Sequence, residues 1–275
     1  MEGFVPKLIA LDIDGTLLNS ARQITQASKN AIEKARKQGV MVVPCSGRHF
    51  SGTRPIAMQA GMGDVVICGN GALVTTWDGS VISGKMLDPQ RCLELLRFCE
   101  YYHLGGNLYA NDVLYTLAPN GVTRYYERMN AQLPPEMQCR YSFVTDLAAV
   151  IEEHASDILK FEIFPLPDEP REVLLAMLER CPDMWAEGNL RTSVELHASG
   201  VSKATGLRDA ASYFGIPMAQ VLAAGDAEND IAMLRAAGLG AAMGNAIDAA
   251  KESADEVIPS NDEDGVAWVI QKYLP

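Results

Sequence analysis

Four short stretches of this chain set acidic, hydroxyl, amide or lysine side chains beside glycine, each at the end of an apolar run or the start of a helical one. The first is Asp12-Ile13-Asp14-Gly15-Thr16, which overlaps the apolar run KLIALDI at 7–13. Alternate residues of a strand share a face, so Asp12 and Asp14 can both reach the crevice beyond the C-terminal edge of a sheet, and Gly15 allows a sharp turn there. Two close carboxylates repel and lose hydration, so they need a cation or a shared proton. A divalent metal is the expected companion, although the same residues also close ordinary solvated strands.

The second stretch is Ser46-Gly47-Arg48. A small hydroxyl followed by glycine lets main-chain N–H groups approach an anion; a plain strand-to-loop turn has the same composition. Cys45 beside it invites a thiol nucleophile, but position 51 is serine, so a C-x5-R phosphate loop is absent. No histidine is placed as its base, and Cys45 is read as structural. The third feature is Lys203, which opens a helix after Gly200-Val201-Ser202. A cation in the first turn opposes the helix dipole, so an anion shared with the helix N-terminus would hold it there; a surface lysine is the ordinary alternative. The fourth, Gly225-Asp226-Ala227-Glu228-Asn229-Asp230, repeats the design of the first. Asp226 can hold a metal and Asn229 offers a neutral donor, while helix capping explains one of these residues but not their density.

These residues need strands and helices to carry them. KLIALDI reads as a buried strand, Thr25 as the N-cap of the helix ASKNAIEKARKQ, and VMVVPCSG as a second strand. Such a β-α-β start implies parallel strands with a right-handed crossover. VVIC at 65–68 reads as a third strand, and Asp78-Gly79 as a hairpin turn between VTTW and SVIS. The texture then becomes mixed. A helix starts at Asp88-Pro89 and runs to about Tyr102. Short strands follow at 106–117 with a turn at Asn111-Asp112, then a loop at 134–140, the strand LKFEIFP, the capped helix PDEPREVLLAMLERC and the strand RTSVELH. From Lys203 the α/β alternation returns: a helix to Tyr213 or Phe214, the strand VLAAG, the helix DIAMLRAAG, the strand GAAMG, the helix AIDAAKESA and a last helix from Gly265. The expectation is an α/β, doubly wound (Rossmann-like) parallel-sheet core at 1–84 and 193–275, with an inserted α+β cap domain at 85–192.

Composition bounds the rest. The chain has 275 residues, 48% hydrophobic and 21% charged, as in a globular protein with a sizeable core. Its net charge of −12 argues against a nucleic-acid partner and means that an anionic substrate needs a local positive site. The six cysteines show no C-x-x-C spacing, which fits reduced thiols in the cytoplasm. No run approaches the ~20 apolar residues of a membrane span, and Asp12 interrupts the first apolar run, which is too short for a signal peptide.

DIDGT, a small hydroxyl with Gly-Arg, a lysine before a helix and GDxxND, in that order, resemble the haloacid dehalogenase superfamily. GVSKATGL, GDAENDIAML, AAMGNA and NDEDGVA are similar to its Cof-type sugar-phosphatase branch. The resemblance covers both core segments, and serine stands in the second motif where threonine is more usual. It implies a Mg2+-dependent phosphatase acting on a small phosphorylated metabolite, a sugar phosphate or a related phosphomonoester, with Asp12 as nucleophile forming an aspartyl-phosphate. Asp14 would be acid and then base. Ser46, Gly47, Lys203 and Asn229 would bind phosphate, Lys203 also holding the nucleophile. Mg2+ would sit on Asp12, the Asp14 carbonyl and Asp226, with Asp230 in support. Asn70-Gly71-Ala72 resembles a loop that the family places near the substrate entrance. A phosphomutase is the alternative activity, and a non-catalytic binding protein a more remote one. In the insert, Asn107, Tyr109, Arg124, Tyr125, Arg128 and Glu187 are candidates for substrate selection by chemistry alone, with surface exposure the simpler expectation for each. Neither the substrate nor the oligomeric state is legible.

Overall fold

The structure, a computed structural model, describes residues 3–187 and 193–274. The chain divides into two units, residues 1–84 with 202–275, and residues 85–201. The first begins with β1 (Leu8–Leu11), α1 (Gln26–Lys37) and β2 (Met41–Pro44). α1 is held as its sequence dictates: Thr25 accepts a hydrogen bond from the Ser28 N–H, and Ala31, Ile32 and Ala35 form its buried face. Losing such a cap costs about 1 kcal/mol. Next come α2 (Phe50–Gln59), β3 (Val65–Cys68), β4 (Leu73–Thr76) and β5 (Val81–Gly84). The sequence reading passes over α2. It contains Gly52 and Pro55 and buries Ser51, Gly52, Thr53, Pro55, Ile56 and Ala57, so it lacks the two-faced pattern that announces a surface helix. The hairpin signal at Asp78-Gly79 joins β4 to β5, which pair antiparallel.

The second unit contains α3 (Pro89–Tyr102), β6 (Gly105–Ala110), β7 (Val113–Thr116), α4 (Gly121–Asn130), β8 (Tyr141–Phe143), α5 (Leu147–Glu153), β9 (Ile158–Phe164), α6 (Asp168–Leu178), β10 (Met184–Glu187) and β11 (Val194–Ala198). Its sheet runs β10-β11-β9-β6-β7-β8. One face is covered by a hydrophobic cluster that includes Leu95, Phe98, Ile151, Phe161, Ile163, Leu174 and Leu196. By strand alternation Lys160, Glu162, Glu195 and His197 lie on the opposite face. Asp88 caps α3 as expected, whereas Pro167 gives α6 no side-chain cap. The expected boundary after residue 192 falls at the edge of residues outside the described set, which include Arg191 and Thr192 of the RTSVELH segment. The structure moves that boundary to Val201, because β11 pairs antiparallel with β9 on one side and β10 on the other and so belongs to the inserted sheet.

The chain returns to the first unit with α7 (Lys203–Tyr213), β12 (Val221–Gly225), α8 (Ile231–Ala236), β13 (Leu239–Ala242), α9 (Asp248–Lys251), β14 (Glu256–Val257) and α10 (Gly265–Tyr273). The parallel sheet runs β14-β13-β12-β1-β2. β1 sits between β2 and β12, with Leu8 opposite both Met41 and Val221. β1 and β12 are neighbours from opposite halves of the unit, with the strand order growing outward from them in both directions. The crevice at the carboxyl ends of such a pair is where open α/β sheets bind ligands. Leu8, Ala10, Val43, Val65, Ile67, Val221 and Ala223 pack against Leu207, Ala210 and Ala211 of α7 and Met233 of α8. On the other side α1 packs against α10.

Candidate active site

Asp12 leaves β1, and Asp226 follows β12, so neighbouring strands deliver both carboxylates to one crevice. The Asp12 N–H still continues the ladder, donating to the Ala224 carbonyl at 3.0 Å. Gly15 has φ +89°, and a Cβ there would lie 2.3 Å from Asp226 Oδ2, so only glycine lets the two loops meet. Thr16 Oγ1 donates to Asp226 Oδ1 at 2.9 Å.

Lys203 is the first residue of α7, whose N-cap Ser202 forms a reciprocal capping box with Thr205. Its side chain is 1% exposed. Nζ donates to Asp12 Oδ1 at 2.5 Å and to Asp230 Oδ1 at 2.7 Å. These two carboxylates hold the lysine against the helix dipole. Asp230 Oδ2 accepts the N–H groups of Asp226 and Ala227 at 2.9 and 3.0 Å. Asp230 is thus fully engaged: it fixes the loop after β12 and anchors the lysine. Asp12 Oδ2 accepts no hydrogen bond among the described residues and is open to an incoming group.

Burial pushes Asp12 well above the usual carboxylate range; Lys203 opposes this, and Asp230 and Asp226 add to it. Asp226 is pushed up to about 6, mainly by burial, with the Thr16 hydrogen bond opposing and Asp230 adding. Burial works against the charge of Lys203 too, but Asp12 and Asp230 outweigh it and hold its pKa well above the ordinary lysine value. Oxygens of Asp12, Asp226 and Asp230 lie within 4.8 Å of one another. One ammonium against three carboxylates leaves two negative charges, the complement of one divalent cation. Because Asp230 is spoken for, Asp12 and Asp226 are the carboxylates with capacity for it.

The side chain of Asp14 is not part of this cluster. Arg48 grips it in a bidentate pair, Nε to Oδ2 and Nη2 to Oδ1, both at 2.7 Å. Burial would raise the pKa of Asp14, but the Arg48 hydrogen bonds and charge bring it below the ordinary value. Ser46 is 2% exposed, and its Oγ accepts the Arg48 N–H at 3.2 Å. Asn229 Nδ2 donates to Asn70 Oδ1 at 3.1 Å. The structure therefore brings Asp12, Ser46, Gly47, Lys203, Asp226, Asn229 and Asp230 to one end of the parallel sheet, with Asp14 at its rim. Cys45 is fully buried in the strand core.

Thr16, Arg48, Asn245 and Asn261 have no role assigned from the sequence, and Asn70 only a place near the substrate entrance. Asn245 Nδ2 donates to the Gly15 carbonyl and Asn261 Nδ2 to the Leu18 carbonyl, pinning the loop after β1. Their signal is present in AAMGNA and NDEDGVA, whose fit becomes visible only once the ends of the chain meet. In the second unit, Asn107 and Tyr109 are buried rather than exposed, and both donate to Glu162 Oε2. Glu187 and Tyr125 are half-buried, and Arg124 and Arg128 are exposed.

Residues 9–270 match the model of the family described as haloacid dehalogenase-like hydrolase. The 5-amino-6-(5-phospho-D-ribitylamino)uracil phosphatase YcsE of Bacillus subtilis is 31% identical over 98% of this chain and 96% of its own length. The pyridoxal phosphate phosphatase YbhA of Escherichia coli is 29% identical, with 98% of each chain covered. A solved haloacid dehalogenase-like hydrolase from B. subtilis superimposes with a TM-score of 0.82 at 28% identity, over 96% of this chain and 99% of that one.

Proposed function

The chain belongs to the haloacid dehalogenase-like hydrolases, in their Cof-type branch, and is a phosphatase; from that premise we propose that it hydrolyses a small phosphorylated metabolite through an aspartyl-phosphate on Asp12, with Mg2+ as cofactor. The observation that carries this reading is the pairing of a buried nucleophile candidate with a buried lysine. Lys203 holds Asp12 Oδ1 while Oδ2 stays open. Phosphoryl transfer asks for positioning and charge neutralisation more than for covalent machinery, and the crevice offers both.

Asp12 Oδ2 attacks phosphorus in line with the ester oxygen. The bond to the leaving oxygen breaks, and Asp14 gives that oxygen a proton. For this the Asp14 carboxyl must leave its bidentate pairing with Arg48. Asp14, now a carboxylate, takes a proton from water, which attacks phosphorus and frees Asp12. Ser46 Oγ, the Gly47 N–H and Asn229 donate to the phosphoryl oxygens, and Lys203 favours the ionised form of Asp12 against burial and offsets the anion's charge. Asp12 and Asp226, with the Asp14 main-chain carbonyl, would hold Mg2+, which neutralises charge on nucleophile and phosphate together. Substrate selection falls to the inserted unit. The relatives' names make pyridoxal phosphate and the ribitylaminouracil phosphate suitable first substrates, together with hexose phosphates.

The test is a panel of such phosphomonoesters with Mg2+, with phosphate release measured. Release that stops reversibly on chelation supports the proposal. Full activity in chelator would remove the metal role. Conversion of a sugar phosphate to its isomer without phosphate release would replace hydrolysis by mutase chemistry.

A further inference from the structure

The turn Gly69-Asn70-Gly71 between β3 and β4 holds three consecutive residues at positive φ, 57°, 55° and 89°. Asparagine is among the few side chains that adopt this region at modest cost. Each residue of the turn meets a different part of the crevice. The Gly69 N–H donates to the Arg48 carbonyl at 2.8 Å, and the Asn70 N–H to the Ser46 carbonyl at 3.0 Å. A Cβ on Gly71 would lie 2.1 Å from the Ser202 carbonyl, where α7 and Lys203 begin. The Asn70 side chain, 1% exposed, accepts the Asn229 Nδ2 hydrogen bond on Oδ1. The same Oδ1 would be 2.7 Å from a Cβ on Gly47. One turn thus touches the second, third and fourth reactive stretches at once, and one amide oxygen meets two of them.

We propose that Asn70 is a positioning residue of the phosphate cradle: it sets the orientation of the Asn229 amide and the placement of the Gly47 peptide. The inference rests on the phosphatase reading. An amide nitrogen has two hydrogens. Asn70 takes one, which fixes the plane of the Asn229 amide and leaves the other for an anion. Asn229 Oδ1 is buried without a hydrogen-bond partner, so among the described residues Asn70 alone orients that amide by hydrogen bonding. A neutral acceptor is required here, since a carboxylate at position 70 would face the incoming phosphate.

Asn70→Gly keeps the left-handed backbone and deletes only the side chain, and thermal melting verifies that the variant folds. KM for a phosphomonoester and the inhibition constant of inorganic phosphate should both rise about tenfold, the worth of one oriented hydrogen bond, with kcat less affected. Asn229→Ala should show the same rise, and the double variant should be no worse than either single one. Asn70→Asp, which keeps the acceptor and adds charge, should weaken inhibition by phosphate further. Phosphate inhibition unchanged in Asn70→Gly or Asn70→Asp, or losses that multiply in the double variant, would overturn the inference. A wild-type chain that turns over no phosphomonoester would instead overturn the phosphatase reading, and this inference with it.

Discussion

Each unit of the molecule buries one lysine among carboxylates, and the two arrangements differ in how those carboxylates are held. In the second unit Lys160 is 2% exposed, donates to Glu195 Oε1 at 2.5 Å and stands 4.5 Å above the Tyr109 ring. Burial works against the charge of Glu195, yet Lys160 and His197 hold its pKa at about 2. Burial raises Glu162, while Asn107 and Tyr109 supply it with hydrogen bonds. Burial lowers His197, favouring the neutral ring. That layer joins Lys160 directly to Glu195 and gives Glu162 two neutral hydrogen-bond donors. In the first unit, Lys203 serves two carboxylates with a third beside them, and both Asp12 and Asp226 are pushed upward. Carboxylates held by their own donors on a sheet face support a fold; three drawn together around one ammonium at the end of a parallel sheet, with Asp12 Oδ2 bare, have capacity for a cation.

The comparison breaks first at Asp12. Asp12→Asn should lower turnover by about 10⁵-fold or more, as loss of a nucleophile does elsewhere. It should leave the melting temperature unchanged or raised, because it removes one of the crowded charges. Glu195→Gln should do the reverse, lowering the melting temperature while phosphate release from a simple aryl phosphate stays within about tenfold of wild type. Turnover kinetics and thermal melts of the pair decide the matter.

The lysines come next. Lys203→Met and Lys160→Met should each destabilise by about 3–5 kcal/mol in denaturant titrations, because each leaves buried carboxylates unpaired. Only Lys203→Met should also cost about 10²–10³-fold in kcat. Replacing Lys160 and Glu195 together by apolar residues should restore most of the stability, as removal of a closed pair does.

Thr16→Val tests a smaller contribution. Losing the hydrogen bond that orients Asp226 should weaken Mg2+ about 10–100-fold, read as the concentration needed for half-maximal turnover. The smallest effect is that of pH. Asp226 sits at about 6, above its ordinary 3.8, so between those values the folded chain without metal keeps a proton that the unfolded chain has lost. Metal-free stability should fall as pH rises through that window. Mg2+ competes with the proton, so its affinity should drop about tenfold from pH 6 to pH 5, and the melting-temperature rise it confers should be larger at pH 7 than at pH 5.

The candidate reactive residues are legible because each follows a short apolar run that reads as a strand, or opens a capped helix. β1, β12 and α7 carry their own signals, and the four motifs are local in sequence. What joins them is not local. Thr16 reaches Asp226 and Asn245 reaches Gly15 across most of the chain, and no spacing rule announces either contact. α2 escaped notice because glycine and proline interrupt a helix with no polar face. α4 begins in Ala118-Pro119-Asn120-Gly121, a turn-like string in which Asn120 is the N-cap, bonding the Val122 and Thr123 N–H groups. Lys160 and Glu162 alternate with Phe161 and Ile163, so the strand is readable while the burial of its polar face is not: that burial depends on partners from β6 and β11. Asp14 is readable at a strand end but its Arg48 clamp is not, because nothing in Ser46-Gly47-Arg48 states where the guanidinium points.

The central claim is that Asp12 carries the phosphoryl group. In the proposed mechanism Asp14→Asn removes both the acid and the base, so with an activated aryl phosphate, whose leaving group departs without a proton, the covalent intermediate should form and accumulate. The variant, mixed with Mg2+ and that aryl phosphate, should gain the mass of one phosphoryl group on the peptide containing Asp12, and Asp12→Asn should gain none. A phosphoryl group found on any other residue, or none formed while the wild-type chain turns the same substrate over, would contradict the account.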